Sequence, residues 1–225
     1  MTIQPYTPAP HVLDRLRQVD FVAVIGPTSV GKTTIINAAM AREPLLSLVL
    51  NNTTRPPRPG EREGVDYLFR TREAMEARIA KGEYVQVAPS VLGELYATAP
   101  EGYRTDGVAL MAVLAEAMPH FRALPFKSLR SVFVTPPDWE TWEKRLTTHG
   151  FTPQQRAKRL DEAKRSLQFV LDNPEVGIVI NQDLPTATED FITLALGRDM
   201  PPRLQADQAR GRDIVRNLLK KLGEG

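Results

Sequence analysis

The segment that most restricts the fold runs from Phe21 to Thr33. Phe21-Val22-Ala23-Val24-Ile25 is an unbroken apolar run closed by Gly26-Pro27. Apolar residues without alternation suit a strand buried on both faces, as in a parallel sheet. Gly26-Pro27-Thr28-Ser29-Val30-Gly31-Lys32-Thr33 then meets the GxxxxGK[ST] spacing at each required position, and a helical pattern follows over 32–42. In a strand–turn–helix of this kind the glycines let the main chain curl so that its N–H groups converge on phosphate oxygens. Lys32 brings a cation to the β and γ phosphates, the Thr33 hydroxyl is placed to ligate Mg²⁺, and the helix N-terminus adds its positive end. The turn therefore predicts a site for the phosphates of ATP, built from Gly26, Thr28, Ser29, Val30, Gly31, Lys32, Thr33 and Thr34, with Thr33 on the metal.

The rest of the chain supports an α/β reading. Helices are expected over 11–18, 71–81 (Thr71 as N-cap, Gly82 at the stop), 138–147, 153–172, 186–196 and 205–222. Strands are expected over 45–50, 84–87, near Tyr96, and over 131–134 and 176–180. Residues 51–64 read as loop, being too polar for core, and 108–114 are ambiguous between strand and helix. Alternating strands and helices predict a three-layer sandwich with a mainly parallel sheet. The C-terminal helix carries Ile214, Leu218, Leu219 and Leu222 on or near one face. Packing on its own domain is the plainer expectation, with a homodimer contact left open.

Composition closes off other classes. Of 225 residues, 42% are hydrophobic and 25% charged, the balance of a folded globular chain. A formal net charge of +2 does not call for nucleic acid or a membrane surface as partner. No apolar stretch approaches the roughly 20 residues of a membrane span. The absence of cysteine excludes disulfides and thiol catalysis and fits a reducing, cytoplasmic location. His11 and His120 are expected at the surface.

A second signal is Thr53-Thr54-Arg55-Pro56-Pro57-Arg58-Pro59-Gly60-Glu61, followed by Gly64-Val65-Asp66-Tyr67. Prolines stiffen this segment, so the forks of Arg55 and Arg58 are held with little freedom and suit a phosphate. With GPTSVGKTT, TTRPPRPGEREGVDYLF, GEYVQV, LYAT, SVFVTPP, RLTTHG, RLDEA and IVINQDL in order, the chain resembles guanylate kinase from about Phe21 to Leu196.

The resemblance implies a domain over 20–196 with an acceptor subdomain at about 51–98 and a helical lid at about 145–160, flanked by extensions over 1–19 and 197–225. It implies that Arg55, Arg58 and Tyr67 hold the acceptor's phosphate, that Tyr96 packs beside it, and that Thr98 lies near the base. Arg145 and Arg159 would close over the donor phosphates, with Arg156 nearby. The chain departs from the family where the base is read: Gln86 stands for a glutamate, Asn51 for a serine, and Ala97 for a glycine. An Asp-x-Asp strand aligns with 109–115, which has no carboxylate; Asp106 falls at that strand's N-terminal end, away from the usual site. His149 stands for a lid arginine and is not assigned as a base. The expected activity is phosphoryl transfer from ATP to a nucleoside monophosphate, GMP or dGMP or one of altered base preference. The alternatives are a non-catalytic binding module and a sugar-phosphate kinase like the ribose 1,5-bisphosphate phosphokinases.

Overall fold

The computed structural model describes residues 6–90 and 93–224, the side chain of Glu224 excepted. The expected N-terminal extension is therefore described from Tyr6 onward, and Gly225 of the C-terminal one also lies outside. The strands are β1 Asp20–Ile25, β2 Leu46–Leu48, β3 Asn51–Thr53, β4 Leu68–Phe69, β5 Gln86–Pro89, β6 Leu95–Thr98, β7 Val108–Ala112, β8 Ser128–Thr135 and β9 Gly177–Ile180. The helices are α1 Pro10–Leu16, α2 Lys32–Arg42, α3 Arg72–Ala80, α4 Met118–Ala123, α5 Trp139–Thr148, α6 Pro153–Asp172, α7 Leu184–Leu196 and α8 Pro202–Glu224. A parallel sheet of five strands has the order β2-β7-β1-β8-β9, and a second sheet has the order β4-β3-β6-β5.

The chain divides into two compact units. One comprises Met1–Phe21, Ser47–Met111 and Ala123–Ser128; the other comprises Val22–Leu46, Ala112–Arg122 and Leu129–Gly225.

In the first unit the second sheet is mixed. β3 runs parallel to β4 and antiparallel to β6, and β5 is antiparallel to β6. Met75 of α3 packs with Tyr84, Ala97 and Ala99 beneath it. Here the expectation of a loop over 51–64 is corrected at its start, because Asn51–Thr53 is an inner strand. Its polarity is tolerated because each buried group is satisfied: Asn52 Nδ2 donates to the Ala97 carbonyl (3.4 Å), and Thr53 Oγ1 accepts from Arg55 N–H (3.2 Å). The strand expected over 84–87 begins two residues later. The main chain of Tyr84 bonds instead to the Tyr6 hydroxyl.

In the second unit β8 and β9 pair in parallel, and α7 packs on α2 and β9. The ambiguous 108–114 resolves over Val108–Ala112 as a strand, β7, whose Val108–Met111 are buried and belong to the first unit. Helix ends follow local chemistry. Thr71 caps α3, Asp138 caps α5, and Thr152 with Gln155 forms a capping box at α6. The C-terminal helix α8 packs against α6 and β9, burying Leu204, Val215, Leu218 and Leu222. Gln208 grips the main chain of Ile178 through both its N–H and its carbonyl (2.7 and 3.0 Å). Much of the apolar face of α8 is thus used within its own unit, with Ile214 and Leu219 half-buried. His11 is exposed as expected, but His120 is half-buried, its Nε2 has no hydrogen-bond partner, and its ring edge meets Phe121. Among the described residues no helix is long and apolar enough to cross a membrane.

Candidate active site

The turn after β1 is held from outside by side chains. Trp142 Nε1 donates to the Thr28 carbonyl (2.9 Å), Asn181 Nδ2 to that of Val30 (2.7 Å), and Lys32 Nζ to those of Gly26 and Pro27 (2.5 and 2.8 Å). With these carbonyls engaged, the amides of the turn and the first N–H groups of α2 are the donors left for an anion. Gly26 has φ 146°, and a Cβ there would stand 2.4 Å from the Val134 carbonyl oxygen. Gly31, at φ 95°, would bring a Cβ to 2.4 Å from Asn181 Nδ2. Gly26 is therefore demanded by space as well as by backbone angle, and Gly31 by its angle and by the Asn181 amide, which a Cβ would push off the Val30 carbonyl. Among the described residues Ser29 alone combines a side chain with positive φ, at 66°, and its buried Oγ has no hydrogen-bond partner. Strain and an unmatched hydroxyl at the centre of a turn fit a loop shaped by a ligand.

Lys32 faces two cavities. A larger one of about 580 Å³ is bounded by Ser29, Gly31, Lys32, Thr33, Thr34, Arg145, His149 and Asn181. A smaller one of about 120 Å³ is bounded by Gly26, Lys32, Glu116, Arg159, Glu162 and Ser166. The structure thus brings both expected arginines to Lys32, but to different hollows. Arg145 is tied to the turn, donating to the carbonyls of Val30 (3.4 Å) and Asn181 (3.1 Å). There it braces the turn from the first position of the expected lid. Arg159 is exposed on α6 and pairs with Glu162 (2.7 Å), while Arg156 pairs with Glu143 (2.8 Å). The helix break at His149-Gly150 is as expected, with Gly150 at φ 63°. His149 lies on the larger cavity with its ring stacked on Phe151.

The first unit holds the arginine loop. Arg55 is buried, and its guanidinium is clasped by Glu61 through two bonds of 2.9 Å. It also donates to the Pro56 carbonyl (2.8 Å) and Tyr96 Oη (3.3 Å), and lies 5.2 Å over the Tyr67 ring. Four of its five N–H groups are therefore used, leaving one on Nη2. The Glu61 clasp holds the guanidinium above its already high range. It also holds the Glu61 carboxyl below the usual carboxylate range, helped by a bond from Arg58 N–H (2.8 Å). The side chain of Arg58 is exposed and makes no hydrogen bond or ion pair among the described residues. So Arg55, Tyr67 and Tyr96 converge as expected, but of the paired forks only Arg58 is free.

On the same sheet Asn51, Thr98 and Gln86 are register partners across β3, β6 and β5, which sets them in one row on one face. Thr98 is fully buried and its Oγ1 lies 2.9 Å from Tyr103 Oη. Asn51 and Gln86 flank it, half-buried. Tyr96, two residues before Thr98, shares that face. Asp106 is exposed before β7 and paired with Arg104.

The family model described as guanylate kinase matches residues 18–193. This chain belongs to the guanylate kinase family. It is 36% identical over 184 residues to the guanylate kinase of Mycobacterium sp. (strain MCS), covering 78% of this chain and 90% of the relative. It is 34% identical over 209 residues to that of Symbiobacterium thermophilum, covering 89% and 93%. The crystal structure of guanylate kinase from Anaplasma phagocytophilum has the same fold, with a TM-score of 0.50 at 20% identity over 84% of this chain and 86% of that one. Relatives so named do not favour the binding module or the sugar-phosphate kinase.

For a guanylate kinase, this donor site makes small demands on metal ligands. Among the described residues no group of three or more histidine or acidic side chains could hold a metal ion. Thr33, exposed in the first turn of α2, offers one hydroxyl beside the phosphate turn. That suits Mg²⁺, which keeps its waters and binds mainly through substrate phosphates. Sequence reading missed Glu61, Trp142, Asn181, Glu116 and Glu162. Asn181 left a positional signal, since it follows the last strand at its C-terminal end, where ligands of such sheets lie, and Glu61 and Glu162 fall inside the segments TTRPPRPGEREGVDYLF and RLDEA.

Proposed function

We infer that this chain is an ATP-dependent kinase of GMP, giving ADP and GDP. The observation that carries the reading is the Gly26–Thr33 turn, its carbonyls engaged and its amides left for phosphate. A non-catalytic module has no use for that. Transfer needs little bond-making chemistry from the protein. The task is to hold two polyanions in line and to offset charge on the transferring group.

Lys32, Ser29 and the turn amides hold the donor phosphates, with Arg145 and Asn181 fixing the shape of the turn. The Thr33 hydroxyl, with the phosphates, would hold Mg²⁺, which would supply positive charge to offset the charge on the transferring group. Arg159, exposed on α6, swings from Glu162 toward the transferring group, with 145–160 acting as the lid that excludes water. Arg58, the free Nη2–H of Arg55, and the Tyr67 and Tyr96 hydroxyls hold the phosphate of GMP. Asn51 and Gln86 read the base by neutral amide hydrogen bonds, with Thr98 fixing the strand between them. A monophosphate acceptor is already an anion, so no general base is assigned. ATP as co-substrate places the reaction in the cytoplasm. The partners are nucleotides; of the α8 face considered for a homodimer, Leu218 and Leu222 are buried within the unit, while Ile214 and Leu219 stay half-buried.

ADP release should be measured with GMP, dGMP, AMP, other monophosphates and ribose 1,5-bisphosphate. GMP is expected to be turned over fastest. Turnover with none of them, or fastest turnover of ribose 1,5-bisphosphate, overturns the assignment.

The donor site also has a pH signature. Burial lowers the Lys32 amine from 10.5 to about 8, with Arg159 adding to the shift and Glu162 opposing it. Below pH 8 the amine is charged and meets the triphosphate directly. Above it the free protein has lost the proton, which binding must restore. ATP affinity is therefore expected to fall by up to about tenfold per pH unit above 8. Calorimetry at pH 9 in buffers of different ionisation enthalpy should show about one proton taken up per ATP. Heats independent of the buffer would show that Lys32 does not meet the phosphates.

A further inference from the structure

We propose that residues 6–16, which precede the family match at residue 18, are a positioning clamp for the acceptor-binding strands. The proposal rests on the acceptor reading of Gln86 and Thr98. The clamp grips the first unit at two places.

At the first, one hydroxyl engages both main-chain groups of one residue. Tyr6 Oη donates to the Tyr84 carbonyl (2.8 Å) and accepts from the Tyr84 N–H (2.7 Å). The Tyr6 ring packs on the cluster formed by Met75, Tyr84, Ala97 and Ala99. Next to it, Ala9 N–H donates to the Gly82 carbonyl (2.9 Å), and the approach is so close that a Cβ on Gly82 would stand 2.9 Å from Ala9 N. These contacts anchor the chain immediately before β5, which carries Gln86.

At the second, Arg15 donates from Nε to the Pro100 carbonyl (2.8 Å) and from Nη2 to the Tyr103 carbonyl (3.1 Å). Tyr103 in turn meets the Thr98 hydroxyl from inside, so this grip fixes the chain immediately after β6. Val12 and Leu16 of α1 are fully buried, which holds Arg15 in place. Gln86 and Thr98 are register partners, and Val85 N–H donates to the Thr98 carbonyl (2.7 Å). The clamp therefore holds both outer ends of one cross-strand pair. A shift of β5 along β6 would move Gln86 out of the row it shares with Asn51, and the doubly bonded Tyr6 hydroxyl opposes that shift.

The test is Tyr6→Phe in the full chain, which removes the hydroxyl and keeps the ring, with Arg55→Ala as comparator. KM for GMP is expected to rise about fivefold, the weight of roughly one net hydrogen bond, with kcat and KM for ATP unchanged. The Tyr84 amide should exchange with solvent faster than in the parent protein. A merely stabilising segment would lower the active fraction, and so kcat, without moving KM; that result overturns the clamp. An unchanged KM for GMP in Tyr6→Phe beside a raised one in Arg55→Ala overturns the clamp and leaves the acceptor reading standing. An unchanged KM in both overturns the acceptor reading and the clamp with it.

Discussion

Lys32→Ala is expected to lower kcat/KM for ATP by about 10³-fold or more, the scale on which charge-stabilising donors act in a desolvated site. The amine has no substitute among its neighbours. Arg145 is committed to the carbonyls of Val30 and Asn181, and Arg159, once it leaves Glu162, already has its own task at the transferring group. The loss should not be mistaken for unfolding. The lowered pKa of Lys32 means that the fold disfavours its charge, so alanine gives up two bonds to Gly26 and Pro27 but also relieves a desolvated cation. Thermal unfolding of the variant should therefore lie close to the parent while ADP release collapses. Activity within tenfold of the parent would remove the donor-site assignment.

Arg55→Ala is expected to raise KM for GMP about 10²-fold, as for loss of a buried charge-assisted contact, with KM for ATP unchanged. Two effects combine. The substrate loses the remaining Nη2–H, and Glu61 loses the partner that orders it. Glu61 also accepts from Arg58 N–H, so the loop that carries the free guanidinium loosens as well. Arg55→Lys should recover little, because an ammonium cannot clasp both carboxylate oxygens while bonding Tyr96 and the Pro56 carbonyl. Steady-state kinetics with each substrate varied in turn decides this. Equal rises in both KM values would show that the loop does not belong to the acceptor site.

The clasp changes the meaning of the Arg55-Arg58 pair. Read along the chain, they are equivalent forks on a stiff loop. In the folded protein one is an internal strut and the other an exposed cation. A carboxylate resembles a phosphate in offering paired oxygens, so Glu61 keeps Arg55 in the plane that an anion requires. This is pre-organisation bought with one ion pair.

The features determined by the sequence itself are those whose physics is local. The phosphate turn is one, because two glycines, a lysine and a threonine at fixed spacing dictate a curl and its charges. Helix ends are another, since Thr71, Asp138 and Thr152 bond amides three residues away. Tertiary structure alone decided the rest. Asn51–Thr53 became a strand because partners on both sides took its polar groups. Glu61 met Arg55 because the loop folds back on itself. Asn181 and Trp142 reached the turn from more than a hundred residues along the chain, and Tyr6 reached Tyr84 across 78. In each case a buried polar group had to find a partner, and which one it found depends on neighbours in space, which composition and periodicity do not encode.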